Sequence, residues 1–160
     1  MRPGGVIVRQ IVATQTDSLT NVDSICVEKS IRKMTVFYNG SPLKSYAIAL
    51  GGNPIGHKQH QGDLRTPEGL YTINDKNPNS GYHKNLGISY PNNADRAAAR
   101  TLGKTPGGDI KIHGLPNGQG YIGKAHVISD WTWGCIAVTD EEVNELYNAV
   151  SIGTPILILP

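Results

Sequence analysis

Apolar and polar residues alternate along much of the chain, which is the pattern of strands that bury one face. The alternation predicts three opening strands arranged as a meander, with Asn39-Gly40-Ser41-Pro42 as the turn between the second and the third. Later stretches of the same character are separated by segments rich in Gly, Pro and polar residues, and they predict three more strands. The six predicted strands are 23–30, 32–38, 43–50, 69–73, 109–113 and 154–159.

Two segments carry helical signals instead. Residues 93–102 have Asn93 as a capping residue, an alanine-rich body and Gly103 as a stop, which predicts a short helix. Thr139-Asp140-Glu141-Glu142 is a capping box, and apolar residues recur after it at helical spacing until Gly153. The segments without either period are predicted to be loops, of which the first is an ordered surface loop. These loops are 51–68 and 74–92.

The length of 160 residues is most simply that of one domain, long enough to bury its own core. Charged residues make up only 18% of the chain, and its 19 Gly and 10 Pro favour short strands joined by structured loops over a helical bundle. We therefore predict a single, mostly β domain with two short helices over residues 23–160. Residues 1–22 are interpreted as an N-terminal extension or a leftover of the expression vector, with room for a first strand.

The formal net charge of +2 comes from Lys and Arg residues that are scattered along the chain. This distribution argues against a nucleic-acid-binding surface. It suits an anionic substrate such as a cell-wall polymer, although an ordinary solvated surface has the same composition. Residues 1–10 lack the pattern of a signal peptide, and no window approaches the roughly 20 apolar residues of a membrane span.

The strongest chemical signal is the stretch Asp130-Trp131-Thr132-Trp133-Gly134-Cys135. A cysteine that follows glycine can lie on a tight turn whose N–H groups are free to bind an oxyanion. His113 ends an earlier apolar segment, where a histidine can be held still enough to take the thiol proton. Cys135 and His113 therefore predict a cysteine acyl-transfer site, with the N–H groups of Gly134 and Cys135 as oxyanion donors. Cys26, the only other cysteine, lies in an alternating strand and is predicted to be structural and free.

Two features of this site are left open by the sequence. His126 is an alternative base because it is closer in sequence to Cys135, but it lacks the glycine-flanked strand end of His113. The group that orients the base is either a backbone carbonyl near Gly114 or the carboxylate of Asp130.

Further segments follow one another in a recognisable order. They are Gly62-Asp63-Leu64-Arg65-Thr66-Pro67-Glu68-Gly69-Leu70-Tyr71, Leu86-Gly87-Ile88-Ser89-Tyr90-Pro91, residues 107–116 and residues 130–139. Together they resemble the catalytic domain of L,D-transpeptidases (the YkuD type), bacterial enzymes that remodel peptidoglycan. The resemblance covers the chain from about Val27 to its end. It implies a sandwich-like or barrel-like β domain in the periplasm or cell envelope, with a role in wall biogenesis and cell shape.

The nucleophile motif of that family reads Ser/Thr-His-Gly-Cys, followed by an apolar residue and Asn or Arg. This chain has Thr132-Trp133-Gly134-Cys135-Ile136-Ala137, so Trp133 stands in place of the histidine and Ala137 in place of Asn or Arg. It resembles a subgroup whose motif begins Asp-Trp-Thr. The fold and the nucleophile carry over, whereas the contacts of the two missing side chains do not.

The resemblance implies a cysteine acyl transferase that acts on peptidoglycan stem peptides. Cys135 attacks the amide between an L-centre and D-Ala, D-Ala leaves, and an amine of a second stem resolves the thioester to give a 3→3 cross-link. The resemblance also implies acylation by β-lactams of the carbapenem class. Within the same fold, a hydrolase (an L,D-carboxypeptidase or an amidase) is the alternative, and a catalytically silent wall-binding module is a further one. The oligomeric state is not predicted.

The predicted substrate-binding residues come from the segments that carry the resemblance. Arg65 and Thr66 belong to a Thr-Pro-x-Gly element that borders the substrate cleft in the family, and Arg65 is expected to pair with a stem-peptide carboxylate. Tyr90 is expected to line the same cleft. The set is completed by Thr132, which can hydrogen-bond within the turn, and by Trp133 and Gly114.

A metal site is the weaker interpretation of another cluster. His57, His60 and Asp63 are close in sequence, but they lie in a glycine-rich loop without helical or strand register. The chain has no Cys-x-x-Cys or His-Glu-x-x-His motif. We therefore predict that no metal is bound, and the acyl-transfer chemistry requires no organic cofactor.

Overall fold

The computed structural model describes residues 19–160, so a first strand before residue 19 lies outside the described residues. Eight strands form a single sheet in the order β3-β2-β1-β8-β4-β5-β6-β7. The first four along the chain are β1 (Ser24–Glu28), β2 (Lys33–Tyr38), β3 (Ser41–Ala47) and β4 (Gly69–Ser80). The others are β5 (His83–Ile88), β6 (Lys111–His113), β7 (Ile136–Ala137) and β8 (Pro155–Leu159).

The predicted meander is confirmed. β1 pairs antiparallel with β2, and β2 pairs antiparallel with β3. The C-terminal β8 then lies parallel to β1 and antiparallel to the first residues of β4, which places the last strand in the middle of the sheet. Alternate residues of β8, such as Ile156 and Ile158, are therefore fully buried.

The prediction of loop over residues 74–92 is wrong for most of that segment. β4 continues from its pairing with β8 into a hairpin with β5, and register shifts interrupt this pairing near Asp75 and before Ser80. The outer part of the hairpin is polar on both faces, so it carries no alternation of apolar and polar residues. Its backbone pairing, not the burial of its side chains, defines it as a strand pair.

Two α-helices are present where the sequence predicts them. α1 spans Asn93–Thr101, but its capping residue is Asn92, whose side chain accepts from the N–H of Asp95. α2 spans Asp140–Ala149 and begins with the predicted capping box, in which Thr139 and Glu142 bond reciprocally. Two 3₁₀ helices, Lys29–Ile31 and Gly120–Ile128, were not visible in the hydrophobic pattern.

The two ends of the sheet are joined to each other. Ala49, just beyond β3, exchanges both backbone hydrogen bonds with Ala137 of β7, at 3.1 and 2.9 Å. The next residues continue this contact, because Thr132 donates to Leu50 and Gly52 donates to Thr132. The sheet therefore closes in a barrel-like manner, as the resemblance implies. The core lies between this sheet and α2, which buries Val143, Leu146 and Ala149.

Candidate active site

Cys135 lies directly after a turn that only glycine fits. Gly134 has φ of +137°, and a Cβ placed on it would lie 2.7 Å from the carbonyl oxygen of Arg65. The buried hydroxyl of Thr132 fastens the turn on both sides, donating to the carbonyl oxygen of Cys135 (2.7 Å) and accepting from the N–H of Gly134 (3.1 Å). The predicted bond of Thr132 within the turn is therefore present, and it fixes the backbone that carries the thiol.

The thiol of Cys135 is held by the strand beside it. Its Sγ donates to the carbonyl oxygen of Asp109 at 3.3 Å and accepts from the N–H of Lys111 at 3.4 Å. Burial raises the pKa of Cys135, and the carboxylate of Asp109 acts in the same direction. The N–H and the positive charge of Lys111, and the charge of Lys58, oppose this rise. The resting group is therefore a thiol, which needs a base before it can attack.

His113 is oriented by the main chain. Its Nδ1 lies 2.6 Å from the carbonyl oxygen of Gly114, so Nδ1 carries the proton and donates, and Nε2 keeps its lone pair. The ring is buried, with Tyr82 stacked against it at 4.5 Å and Trp131 edge-on at 5.7 Å between ring centroids. Burial lowers the pKa of His113, which keeps the imidazole neutral at pH 7. A neutral imidazole with a free Nε2 is the state that a general base requires.

His113 and Cys135 line the same cavity of about 320 Å³. The two side chains are not hydrogen-bonded to each other, and the thiol donates to the carbonyl oxygen of Asp109. A rotation of the S–H bond would turn its proton toward this shared cavity. Catalytic hydrogen bonds are often incomplete before substrate binds, so this arrangement is compatible with a base and its nucleophile at rest.

The two alternatives that the sequence leaves open lie elsewhere. His126 accepts from the indole N–H of Trp131 at 3.2 Å and lines a different cavity, next to α2. Asp130 does not reach the base: its carboxylate receives two N–H groups of Arg32 and the N–H of Leu50. The orienting group of His113 is thus the backbone carbonyl and not the carboxylate of Asp130.

One of the two predicted oxyanion donors is engaged. The N–H of Gly134 points to the Thr132 hydroxyl, so it is not free to bind substrate in this structure. The N–H of Cys135, by contrast, is absent from the hydrogen bonds formed within residues 19–160. Cys135 therefore supplies the available backbone donor beside its own sulfur, which corrects the expectation that both residues do so.

A second, larger cavity reaches Cys135 from the other side. Its volume is about 530 Å³, and Lys58, Gln61, Thr105 and Pro106 form part of its wall. Three residues belong to both cavities: Asp109, Trp133 and Cys135. Trp133 is 84% exposed and lines both of them. The sulfur can thus be approached from two directions.

Four of the predicted substrate-binding residues line neither cavity. The guanidinium of Arg65 lies beside Gly56 and donates to the carbonyl oxygen of His57, and Thr66 is fully buried, accepting from the N–H of Gly51. Tyr90 is buried in the core and donates to Pro106, so it supports the wall of the larger cavity from behind. The carbonyl oxygen of Gly114 accepts from His113, and a Cβ on Gly114 would lie 2.6 Å from the carboxylate of Asp140. These four residues support the site and do not face it.

The cation in the wall of the larger cavity, Lys58, is not among the site residues that the sequence predicts. Lys58 is buried, with only 3% of its side chain exposed, and its Nζ donates to Asp63 (2.8 Å) and to the carbonyl oxygen of His60 (3.1 Å). Asp63 also accepts three backbone N–H groups, and these bonds together with Lys58 hold the pKa of Asp63 at about 2 despite its burial. The single hint in the sequence is the proximity of Lys58 to Asp63.

The histidines of the same loop have structural partners. His57 accepts from the N–H of Glu68 through Nδ1, so its Nε2–H donates to Asp95 at 2.9 Å. Asp63 is engaged with Lys58, as described above. Within residues 19–160, no three His, Cys, Asp or Glu side chains converge as metal ligands would. Cys26 and Cys135 are both free thiols.

The loop that carries these residues is tied to the sheet by a buried lysine. Lys29 donates to the carbonyl oxygens of Thr66 (2.7 Å) and Gly56 (2.9 Å) and to the carboxylate of Glu68 (3.1 Å). Burial lowers the pKa of Lys29, and Glu68 opposes this. The carbonyl oxygen of Arg65 occupies the space that a Cβ at position 134 would need, so this loop packs closely against the turn that precedes Cys135.

The chain is similar in sequence to known proteins. The family model of the L,D-transpeptidase catalytic domain (YkuD) matches residues 23–158. The chain belongs to the L,D-transpeptidase catalytic domain family. YafK of Escherichia coli (strain K12), a candidate L,D-transpeptidase, is 32% identical over 113 residues, which are 68% of this chain and 37% of YafK.

Solved structures of other bacterial proteins share the fold. The helical cell shape determining protein Pgp2 of Campylobacter jejuni has a TM-score of 0.65 and 26% identity, covering 87% of this chain and 48% of that one. Bd1075 of Bdellovibrio bacteriovorus has a TM-score of 0.60 and 24% identity, covering 91% of this chain and 50% of that one. The chain therefore spans half or less of the length of these relatives. No helix within residues 19–160 is long and apolar enough to span a membrane.

The buried histidines predict how stability depends on pH. Burial lowers the pKa of both His113 and His126 below 6.5, so the unfolded chain binds these protons more readily than the folded one. The free energy of unfolding is therefore fully retained above pH 6.5 and decreases as the pH falls below it. Urea denaturation between pH 8 and pH 5 measures this slope. Replacing both residues with glutamine should flatten it, and a flat profile for the unaltered protein would contradict the assignment.

Proposed function

We propose that this protein is a cysteine acyl transferase that acts on peptidoglycan stem peptides. The observation that carries the proposal is the position of Cys135 between two cavities, with a neutral histidine lining one of them. A transferase must bring two substrates to one sulfur in succession, and two routes of approach allow this. Family membership supplies the substrate class.

The first half of the proposed reaction forms a thioester. His113 Nε2 removes the proton of Cys135, and the thiolate attacks the carbonyl carbon of the amide between an L-centre and a terminal D-amino acid. The N–H of Cys135 donates to the oxygen as negative charge develops on it. The tetrahedral intermediate collapses when the histidinium returns its proton to the amine nitrogen, which breaks the carbon–nitrogen bond and releases the amino acid.

The second half transfers the acyl group. An amine of another stem enters, loses a proton to His113 and attacks the thioester carbon; the carbon–sulfur bond breaks, and the departing sulfur takes the proton back from the histidinium, which restores the resting thiol. His113 faces only the smaller cavity, so the leaving and entering amines belong there. The acyl part that stays on the sulfur belongs in the larger cavity, on the other side of Trp133. The site lies in the cell envelope, where its substrate is found.

The nucleophile is tested by substitution of each thiol. Cys135→Ala should abolish turnover of purified muropeptides and preserve the thermal unfolding transition, because the thiol contributes only weak hydrogen bonds to its neighbours. Cys26→Ser is the matched control and should retain activity. Mass analysis of the products identifies the reaction: a cross-linked dimer means transfer, a shortened stem alone means hydrolysis, and no product at all favours a silent wall-binding module.

The base is tested at the two candidate histidines. His113→Ala should lower the rate about 10²- to 10⁴-fold, the usual effect of removing a positioned acid–base group. His126→Ala removes only the support behind Trp131 and should affect the rate less. Steady-state rates of both variants decide the question, and the opposite ranking would transfer the role to His126.

The electrophile preference is tested with a β-lactam. A thiolate that attacks an amide carbonyl should also open a strained β-lactam carbonyl and form a stable acyl-enzyme. Incubation with a carbapenem should add the mass of the drug at Cys135 in intact-protein mass spectrometry. If no adduct forms while iodoacetamide still alkylates Cys135, the thiol is reactive but the site is not built for acyl transfer.

A further inference from the structure

We propose that Lys58 binds a free carboxylate on the acyl part of the donor stem peptide, the part that remains on Cys135 as the thioester. The inference rests on the proposed function and specifies its substrate. It assigns the recognition of an anionic group to a residue that the resemblance does not point to, in place of Arg65.

The first argument is location. Lys58 and Cys135 lie in the wall of the same cavity of about 530 Å³, whereas Arg65 lies outside it. Apart from Lys58, the only charged residue in this wall is Asp109, which stands at the boundary with the smaller cavity. Lys58 is therefore the cationic side chain in this wall that an anionic substituent in the larger cavity can bind.

The second argument is that Lys58 is held in place in advance. Its ammonium group donates two of its three N–H bonds, to Asp63 and to the carbonyl oxygen of His60. Asp63 spreads its own charge over three backbone N–H groups, so it does not depend on Lys58 alone for hydrogen bonds. A lysine that is already ordered loses little rotamer entropy when it binds a ligand, and its remaining donor suits a carboxylate oxygen.

The third argument concerns which carboxylate is bound. His113 must exchange protons with the leaving and entering amines, and it lines only the smaller cavity. The terminal carboxylate of the leaving residue is therefore on the far side of the sulfur from Lys58. The carboxylates that can reach Lys58 are those of the acyl part, namely a side-chain carboxylate on the attacked residue or the α-carboxylate of a γ-linked residue before it.

The test uses synthetic donor tetrapeptides, each carrying one carboxamide in place of a carboxylate. The carboxamide is placed on the side chain of the third residue, on the γ-linked second residue or at the C-terminus. Release of the terminal amino acid gives kcat/KM for the unaltered protein and for Lys58→Gln, which keeps an N–H donor for Asp63. Arg65→Gln is the matched control, and thermal unfolding verifies that each variant is folded.

We expect one of the two acyl-part carboxamides to lower kcat/KM about 10- to 100-fold in the unaltered protein, as loss of a charge-assisted hydrogen bond does. Lys58→Gln should process the acid and that carboxamide equally, and Arg65→Gln should retain the preference. The proposal is overturned if neither acyl-part carboxamide matters, or if Lys58→Gln removes only the preference for the C-terminal carboxylate.

A binding measurement separates this proposal from the proposed function. Calorimetric titration of Cys135→Ala with the unmodified tetrapeptide and with the three carboxamide peptides gives dissociation constants without turnover. If the unaltered protein releases no amino acid, yet the carboxylate preference in binding is present and disappears in the Cys135→Ala, Lys58→Gln double variant, then Lys58 is the carboxylate site and acyl transfer is wrong. If binding does not depend on the carboxylate in Cys135→Ala, the assignment of Lys58 fails.

Discussion

The backbone hydrogen bonds between Ala49 and Ala137 are the constraint on which the rest of the site depends. They join the two ends of the sheet, so residues that are far apart in sequence become neighbours around one opening. The pair continues through Leu50, Gly52 and Thr132, which places the nucleophile turn against the segment that follows β3. β7 itself is only two residues long, and its register with β6 brings Cys135 next to the strand that ends in His113. Sheet closure, more than any side-chain contact, thus determines how Cys135 and His113 come to face the same cavity.

Buried and partly buried charges hold the irregular parts of the site in position. Lys29 donates to the backbone of the loop between β3 and β4, and Lys58 and Asp63 form an ion pair within that loop. Arg32 forms an ion pair with Asp130, at the start of the segment that leads to Cys135. A buried ion pair contributes little net stability, because the loss of hydration offsets the attraction between the charges. Its value here is geometric: each of these groups accepts or donates several bonds that only one backbone conformation satisfies. An apolar core could not specify a loop in this way, since it lacks directional contacts.

The sequence predicted that Cys135 and His113 belong to one site, and it was less successful for the residues in the surrounding cavity walls. Cys135 and His113 were identifiable because glycine at 134 and the apolar strand before 113 are local signals. The hairpin of β4 and β5 was missed because its polar outer half carries no alternation, and its stability comes from backbone pairing. The sequence pointed to Arg65 as the cation of the cavity, whereas the structure has Lys58 in the cavity wall, and this difference has another cause. Both residues lie in the same loop, and which cation faces the cavity depends on the loop's conformation, which in turn depends on Lys29, a residue of a different segment.

The way His113 is oriented has a consequence for mutational mapping. In many catalytic triads a carboxylate or carboxamide side chain holds the base, and its replacement reveals its role. Here the acceptor is a main-chain oxygen, which every amino acid possesses. An alanine scan would therefore not reveal the group that orients His113, and a defect at position 114 would report the clash of a Cβ with Asp140 and not the loss of the bond. Only a change to the backbone itself, such as an ester in place of the amide that follows Gly114, would weaken that acceptor, and the same ester would remove the Leu115 N–H that donates to Asp140.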